Sequence, residues 1–239
     1  MKVLVVGVPR QSDVVITSIQ KNILIPNGLS DYDVSVFLNR IERFHQGRSG
    51  DGGTLSHGNY QRYIDTFSTS VFDNDSHGLD TSVPDCYADG YVSLSNLYAY
   101  LNLLHQASGT IYDNEPMLLI RPDTKILDVL PLRAKLLKLG FVILPAWQDW
   151  GCGFNDRFIM AAGNQMKRVM RRRDLIPEFI SSRKPLKSES LMRYSLRNTP
   201  VLFTGARVQR LRNDEANVVS ECFRPNYLKC YAKMMLNFL

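Results

Sequence analysis

The sequence predicts an α/β fold, a single Rossmann-like sandwich with a mostly parallel central sheet flanked by helices. The chain has 239 residues, of which 44% are hydrophobic and 22% charged, as expected for one large globular α/β domain. Short β-branched runs alternate with amphipathic stretches, which is the pattern of βαβ units. No repeat or Pro/Ser-rich linker divides the chain, so residues 1–239 are predicted to form one domain.

The first βαβ unit is predicted at the amino terminus. Residues 2–8 form a continuous β-branched run bounded by Gly and Pro, which is typical of a buried parallel strand. A helix is predicted from Ser12, because apolar residues recur on one face and Ser12 or Asp13 can act as the N-cap. Residues 31–39 predict the second strand.

The remaining elements follow from the same two patterns. The clearest helix spans residues 93–109, where a leucine stripe ends at a glycine. Further strands are predicted at 117–120, 141–147, 155–162 and 200–212. Further helices are predicted at 130–139, 163–173, 175–182, 188–196 with Ser188 as N-cap, and 225–239, the last packing on the body. Residues 46–59, rich in Gly and Ser, predict a mobile loop, and the polar stretch from there to Gly90 predicts loop with short elements.

The composition indicates which cellular compartment and which kinds of partner to expect. The four cysteines lack metal or disulfide spacing, no apolar run approaches about 18 residues, and the start is too quickly polar for a secretory signal, so a cytoplasmic protein is expected. The net charge of +6 favours an anionic partner. The basic helix at 167–173 is most simply a solvated face, and peripheral membrane contact through it is a second expectation. Nucleic acid is not expected, because no aromatic residues interleave these cations.

Residues Arg121-Pro122-Asp123 follow directly on a buried strand, at the edge where ligands of α/β sheets gather. Because Pro122 stiffens the backbone, Asp123 could ligate Mg²⁺ or Mn²⁺, and Arg121 could bind a phosphate through its planar fork. An equally supported interpretation is a strand-end turn with an exposed ion pair. The turn at 7–12 could likewise place backbone N–H groups and Arg10 at an anion, or be an ordinary βα turn.

A second cluster of chemistry-bearing residues lies at 147–156. Trp147 and Trp150 beside Asp149 and Asp156 suit a sugar ring, whose apolar face packs on an indole while its hydroxyls bond to carboxylates. Asp149 or Asp156 could also act as the general base on an acceptor hydroxyl. The alternative, slightly favoured by the residues alone, is a loop that the tryptophans anchor in the core.

The stretches GVPRQS, YDNEPMLLIRPD, GFNDRF and SESLMRYSLRNTPV, in this order, resemble a diffuse family of small predicted GT-A-like glycosyltransferases from bacterial surface-polysaccharide loci and viruses. The resemblance covers residues 1–212 without the Gly-rich loop. It implies a GT-A-type fold that binds a nucleotide-sugar donor and transfers the sugar to a glycan or lipid-linked acceptor.

The resemblance also implies roles for individual residues. Gly7, Pro9 and Arg10 match the family's turn on the nucleotide side. Arg121 and Asp123 match the strand end where other GT-A enzymes keep a DxD metal motif. Asn155, Asp156 and Arg157 match the strand near sugar and acceptor, and Glu189 matches a glutamate on a helix. Taken together, the residues expected to contact the nucleotide-sugar donor are Gly7, Pro9, Arg10, Arg121, Asp123, Asn155 and Arg157. Those expected to contact the acceptor are Trp147, Asp149, Trp150 and Glu189. Asp156 is the expected base. Because Arg-Pro-Asp offers one carboxylate rather than two, arginines could neutralise the diphosphate in place of Mn²⁺ or Mg²⁺.

Two alternatives belong to other functional classes. The turn GVPRQS also resembles the phosphosulfate-binding turn of sulfotransferases, although those turns continue with Gly-Thr, or carry a Lys, where this chain has Asp13-Val14. A non-enzymatic module could instead bind RNA or acidic glycans through residues 167–173 and 207–212.

Overall fold

A computed structural model describes residues 1–41, 43–44, 53–73, 78–148, 153–182, 184–212 and 221–235. The strands are β1 (Lys2–Gly7), β2 (Val34–Arg40), β3 (Arg43–Phe44), β4 (Gly53–Thr54), β5 (Ser68–Asp73), β6 (Pro116–Ile120), β7 (Thr124–Ile126), β8 (Val142–Pro145), β9 (Phe158–Ala162), β10 (Val201–Thr204) and β11 (Val208–Arg210). The α-helices are α1 (Ser12–Ile19), α2 (Ile25–Asn27), α3 (His57–Thr66), α4 (Val92–Ala107), α5 (Ala134–Lys138), α6 (Gly163–Met170), α7 (Ile176–Ser181), α8 (Ser188–Ser195) and α9 (Tyr227–Met235).

Seven strands form the central sheet in the order β10-β8-β9-β6-β1-β2-β5. All neighbours pair in parallel except β9, which is antiparallel to both β6 and β8. From β1 the chain moves outward through β2 and β5 and then returns to place β6 on the other side of β1. The strand order therefore reverses between β1 and β6, which is where ligands of open α/β sheets bind.

Helices cover both faces of the sheet. Alternate residues of β1 point to opposite sides: Val3 and Val5 join the core under α1, whereas Leu4 and Val6 join the core under α4. Both faces are therefore buried, which explains why the parallel strands read as unbroken apolar runs. The predicted α/β sandwich with a mostly parallel sheet flanked by helices is confirmed.

The polar stretch before Gly90 is more regular than the sequence indicates. It contains α3, whose first residues fall inside the segment predicted as a mobile loop, and the edge strand β5. Only Tyr60 and Tyr63 of α3 are buried, so the apolar signal of this helix is weak. Residues 46–52 lie outside the described part of the chain, and their predicted mobility stays a prediction.

Candidate active site

Two turns distant in sequence meet where the strand order reverses. A Cβ atom at Gly7 would lie 3.0 Å from Cδ of Pro122, and Gly7 has a φ of +143°, so a glycine is needed here. The backbone N–H of Arg10 donates to the Pro122 carbonyl at 3.3 Å. The structure thus brings the turn with Gly7, Pro9 and Arg10 against the strand end with Arg121 and Asp123, as the sequence predicts.

Asp123 is buried among arginines. The Arg121 Nε and Nη2 atoms donate to its two carboxylate oxygens at 2.9 and 3.0 Å, and Arg210 Nε donates to Oδ2 at 3.1 Å. Burial alone would raise the pKa of Asp123, but the charges of Arg121, Arg210 and Arg10 outweigh it and hold that pKa well below its usual range. Asp123 is therefore an ionised counter-ion, not the exposed ion pair of the alternative interpretation.

The arginines carry more positive charge than Asp123 can balance. Burial lowers the pKa of Arg210 to about 9 and that of Arg10 to about 10, although Asp123 acts in the opposite direction. Repulsion from Arg121 contributes to both shifts. A second anion placed here would relieve this repulsion, so the cluster favours a phosphate-sized anionic ligand.

The same geometry does not fit a divalent metal at Asp123. Both carboxylate oxygens already accept hydrogen bonds from guanidinium groups, and Arg10 adds a further positive charge beside them. Mg²⁺ and Mn²⁺ need carboxylate oxygens that are free to coordinate them. Within the described ranges, no group of three His, Cys, Asp or Glu side chains could hold a metal. The metal role expected for Asp123 is therefore replaced by the counter-ion role.

A polar cleft of about 90 Å³ opens beside this cluster. It is lined by Arg121, Gln148, Asn155, Asp156, Arg157, Ser188, Glu189 and Arg210. Because β9 runs antiparallel, its first residue lies at the edge where the parallel strands end, and the residues just before it reach the cleft. Arginines from three separate segments thus share this cleft with the two carboxylates of Asp156 and Glu189.

The two carboxylates are held at the amino-terminal end of α8. Ser188, its first residue, donates its hydroxyl to Asp156 Oδ2. Burial and then the charge of Asp156 raise the pKa of Glu189, whose ionised form is partly favoured by Arg157 and Arg121. The raised pKa means that Glu189 takes up a proton more readily than an exposed glutamate does. Ser188 was predicted as the N-cap, but that position is taken by Lys187, and the Ser188 hydroxyl serves Asp156 instead.

Buried partners orient the remaining polar side chains. Arg157 Nη2 donates to Glu221 Oε1 at 2.9 Å, and the other Glu221 oxygen accepts the Arg210 backbone N–H at 3.0 Å. The Asn155 amide donates to the Trp147 carbonyl at 2.6 Å and accepts the Arg157 N–H at 2.9 Å. Asn155 therefore stiffens the turn before β9, and it does so with the same amide atoms that the expected contact with a nucleotide-sugar donor would need.

The sugar platform predicted at the tryptophans is wrong for Trp147. Trp147 has no exposed surface, its indole N–H donates to the Ala206 carbonyl at 2.7 Å, and its ring packs edge-on against Phe223 at 5.0 Å. With its faces covered, it cannot stack on a sugar, and the alternative interpretation, a core anchor, holds for this residue. Asp149 and Trp150 lie outside the described residues.

Of the two interpretations of the turn before α1, an anion site and an ordinary βα turn, the backbone contacts favour the second. The Ser12 backbone N–H donates to Asn59 Oδ1 at 3.1 Å, and the Ser12 hydroxyl donates to the Asn59 carbonyl at 2.7 Å. Together with the bond from Arg10 to Pro122, this occupies backbone donors that a phosphate would use. This segment therefore contributes the side chain of Arg10, rather than its backbone N–H groups, to the binding of an anion.

Several residues at or next to the cleft were not predicted from the sequence to belong to the site. They are Gln148, Arg172, Ser188, Arg210 and Glu221. Arg210 belonged to a basic stretch considered for nucleic acid, and Glu221 lies in a segment without periodicity. A single charged residue far along the chain carries no local signal that assigns it to a distant cleft.

The basic helix is less exposed than predicted. Arg172 is fully buried, while Lys167 pairs with Asp113 at 2.7 Å and Arg171 with Asp174 at 3.4 Å. Membrane contact through this helix stays a prediction. Among the described helices, none is both long and apolar enough to span a bilayer.

Fold and site define an α/β sandwich with an arginine-rich cleft at the carboxyl edge of its sheet. No protein-family model and no curated protein matches the sequence. Solved structures with a similar arrangement include the galactosyltransferase LgtC in complex with donor and acceptor sugar analogues, at 10% identity and a TM-score of 0.49, covering 84% of this chain and 73% of that one.

The glycosyltransferase GlyE of Streptococcus pneumoniae TIGR4 gives a TM-score of 0.44 in both its apo and its other structure, also at 10% identity. This chain spans 45% of the length of GlyE, with 84% of its own residues covered.

Proposed function

We propose that the protein is a glycosyltransferase that moves a sugar from a nucleoside-diphosphate donor to a hydroxyl of a glycan or lipid-linked acceptor. One observation carries the proposal: a single cleft, where the strand order reverses, is lined both by Arg121, Arg157 and Arg210 and by the carboxylates Asp156 and Glu189. A transfer of this kind needs both halves, cations for a departing diphosphate and a carboxylate for the acceptor proton.

The cationic half would act on the leaving group. As the bond between the anomeric carbon and the phosphate oxygen breaks, its electron pair moves to the diphosphate. Arg121 and Arg210 are already held together by Asp123, so little reorganisation is needed to meet that charge. Arg157, which Glu221 holds in place, adds a third cation that lines the cleft. No step requires a metal.

The carboxylate half would act on the acceptor. The acceptor oxygen forms the new bond to the anomeric carbon, and its proton passes to a carboxylate in an inverting transfer. Asp156 is the proposed base, because Ser188 fixes its orientation at the cleft wall. Glu189, beside it, is proposed to contact the acceptor hydroxyls.

The test combines a ligand screen with one substitution. Thermal shift and donor hydrolysis are measured over nucleotide-sugars and nucleoside diphosphates. We expect stabilisation by a nucleoside diphosphate, and Asp156→Asn should keep that stabilisation while losing on the order of 10²-fold or more in turnover. The matched control is Asp73→Asn, whose carboxylate is 88% exposed and should leave turnover unchanged.

Other outcomes separate the alternatives. Stabilisation by adenosine bisphosphate alone would favour a sulfotransferase, which the occupied donors at Ser12 already disfavour. Salt-steep binding of RNA without any nucleotide response would favour the basic module. Full turnover in Asp156→Asn would remove Asp156 from the base role.

A further inference from the structure

Arg172 is a buried cation next to Asp156, one of the residues that line the cleft. It lies in the turn that follows α6 and has no exposed surface. Its Nη1 atom donates to the Val169 carbonyl at 3.0 Å, but Nε and Nη2 have no hydrogen-bond partner in the described part of the chain. Asp156 lies within ion-pair distance, with its Oδ2 atom 3.9 Å from Nη2 of Arg172.

This arrangement is a poor way to stabilise a core. Removing a guanidinium from water costs several kcal/mol, and a loose ion pair with two unused donors recovers only part of that cost. An apolar side chain of similar volume would fill the space more favourably. The position of Arg172 is therefore better explained by what its charge does to Asp156.

An aromatic ring connects this cation to the other half of the cleft. The guanidinium carbon of Arg172 lies 5.8 Å from the ring centre of Tyr100, and that of Arg121 lies 5.3 Å from the same centre. Both contacts are within the range of cation–π attraction. Tyr100 thus helps to fix Arg172 and Arg121 relative to each other.

We propose that Arg172 is a positioning residue, which acts with Ser188 to hold the Asp156 carboxylate in place at the wall of the cleft. Ser188 donates a hydrogen bond to Oδ2 of Asp156, and Arg172 places its positive charge 3.9 Å from the same oxygen. Arg172 is not among the residues that line the cleft. The role rests on the proposed function of Asp156 as the base.

The experiment compares Arg172→Gln and Arg172→Lys with Arg171→Gln, the exposed neighbour that serves as control. We expect Arg172→Gln to lower kcat for transfer on the order of 10- to 100-fold, because a small displacement of a reacting group costs that much. The dissociation constant for the nucleoside diphosphate should stay within about twofold. Arg172→Lys should restore part of kcat, and Arg171→Gln should change neither quantity.

A double-mutant cycle tests the proposal without turnover. In urea denaturation, the effect of Arg172→Gln should largely disappear in the Asp156→Asn background, because the two charges act on each other. Additive effects, an unchanged kcat, or equal losses of kcat and nucleotide affinity would each overturn the positioning role. A wild-type protein that neither binds nucleotides nor transfers sugar would refute the proposed function, and the cycle would still report whether the two residues are coupled.

Discussion

Asp123 shows how far a single residue can be interpreted from its neighbours in sequence. The strand end and the proline predicted a stiff carboxylate at a ligand-binding edge, and the structure places Asp123 there. One of its two arginine partners, Arg121, is a neighbour in sequence, but the other, Arg210, lies 87 positions away along the chain. No local pattern could reveal that this distant arginine would also bind an oxygen expected to hold a metal.

Replacing Asp123 with Asn should destabilise the protein by about 3–5 kcal/mol, because it leaves buried arginines without their counter-charge. Urea denaturation at neutral pH measures this. In Asp73→Asn the pair with Arg40 is exposed, so the same change should cost less than about 1 kcal/mol. Equal losses in the two variants would contradict the counter-ion role.

The same carboxylate should make stability depend on pH. Since the pKa of Asp123 is lower in the folded protein than its unfolded value of about 3.9, the unfolded chain takes up the proton first as the solution is acidified. The stabilisation is therefore present above that unfolded value and is lost as pH falls toward the folded one. Asp123→Asn should lack this part of the acid sensitivity.

At the scale of elements, the buried strands were predictable and the edge strand β5 was not. β1, β6 and β8 are continuous apolar runs, since both of their faces are covered. β5 is a polar edge strand with no fully buried residue, so its pattern resembles a loop. The direction of β9 was equally hidden, because an apolar run has the same composition in both directions. That direction brings Asp156 to the cleft.

The junction between the start of α8 and the segment before β9 should tolerate no side chain. A Cβ atom at Gly153 would lie 2.6 Å from the Glu189 carbonyl oxygen and closer still to the carbonyl carbon. The Phe154 N–H donates to that same oxygen at 3.0 Å, so the backbones cannot separate without losing a bond. Gly153→Ala should therefore cost about 1–3 kcal/mol and lower turnover by displacing Glu189.

Gly109→Ala is the matched control for this junction. No atom lies within 4 Å of a Cβ built there, and its stability should change by less than about 1 kcal/mol. Thermal unfolding and donor hydrolysis of both variants provide the measurement. A fully active, equally stable Gly153→Ala protein would show that the contact does not position the carboxylates.

For the whole molecule, the net charge of +6 predicted an anionic partner but not its place. The structure gathers Arg10, Arg121, Arg157 and Arg210 from four segments at one edge of the sheet, and no sequence pattern encodes that convergence. Several cations outside this cluster are paired with carboxylates at the surface, as Arg207 is with Asp128. The positive charge that would attract an anionic ligand is therefore that of this local arginine cluster, not the net charge of the protein.

A diphosphate should therefore bind without a divalent cation. Calorimetry with inorganic pyrophosphate or a nucleoside diphosphate should give dissociation constants that agree within about twofold in excess EDTA and in excess Mg²⁺ or Mn²⁺. Raising the salt concentration should weaken binding, because the attraction is electrostatic. Arg210→Gln should weaken it about 10- to 100-fold, as expected for a lost charge-assisted hydrogen bond, while Arg207→Gln, whose side chain is 51% exposed, should have little effect. Binding that requires the metal, or that survives Arg210→Gln unchanged, would mean that the arginines around Asp123 do not hold the diphosphate.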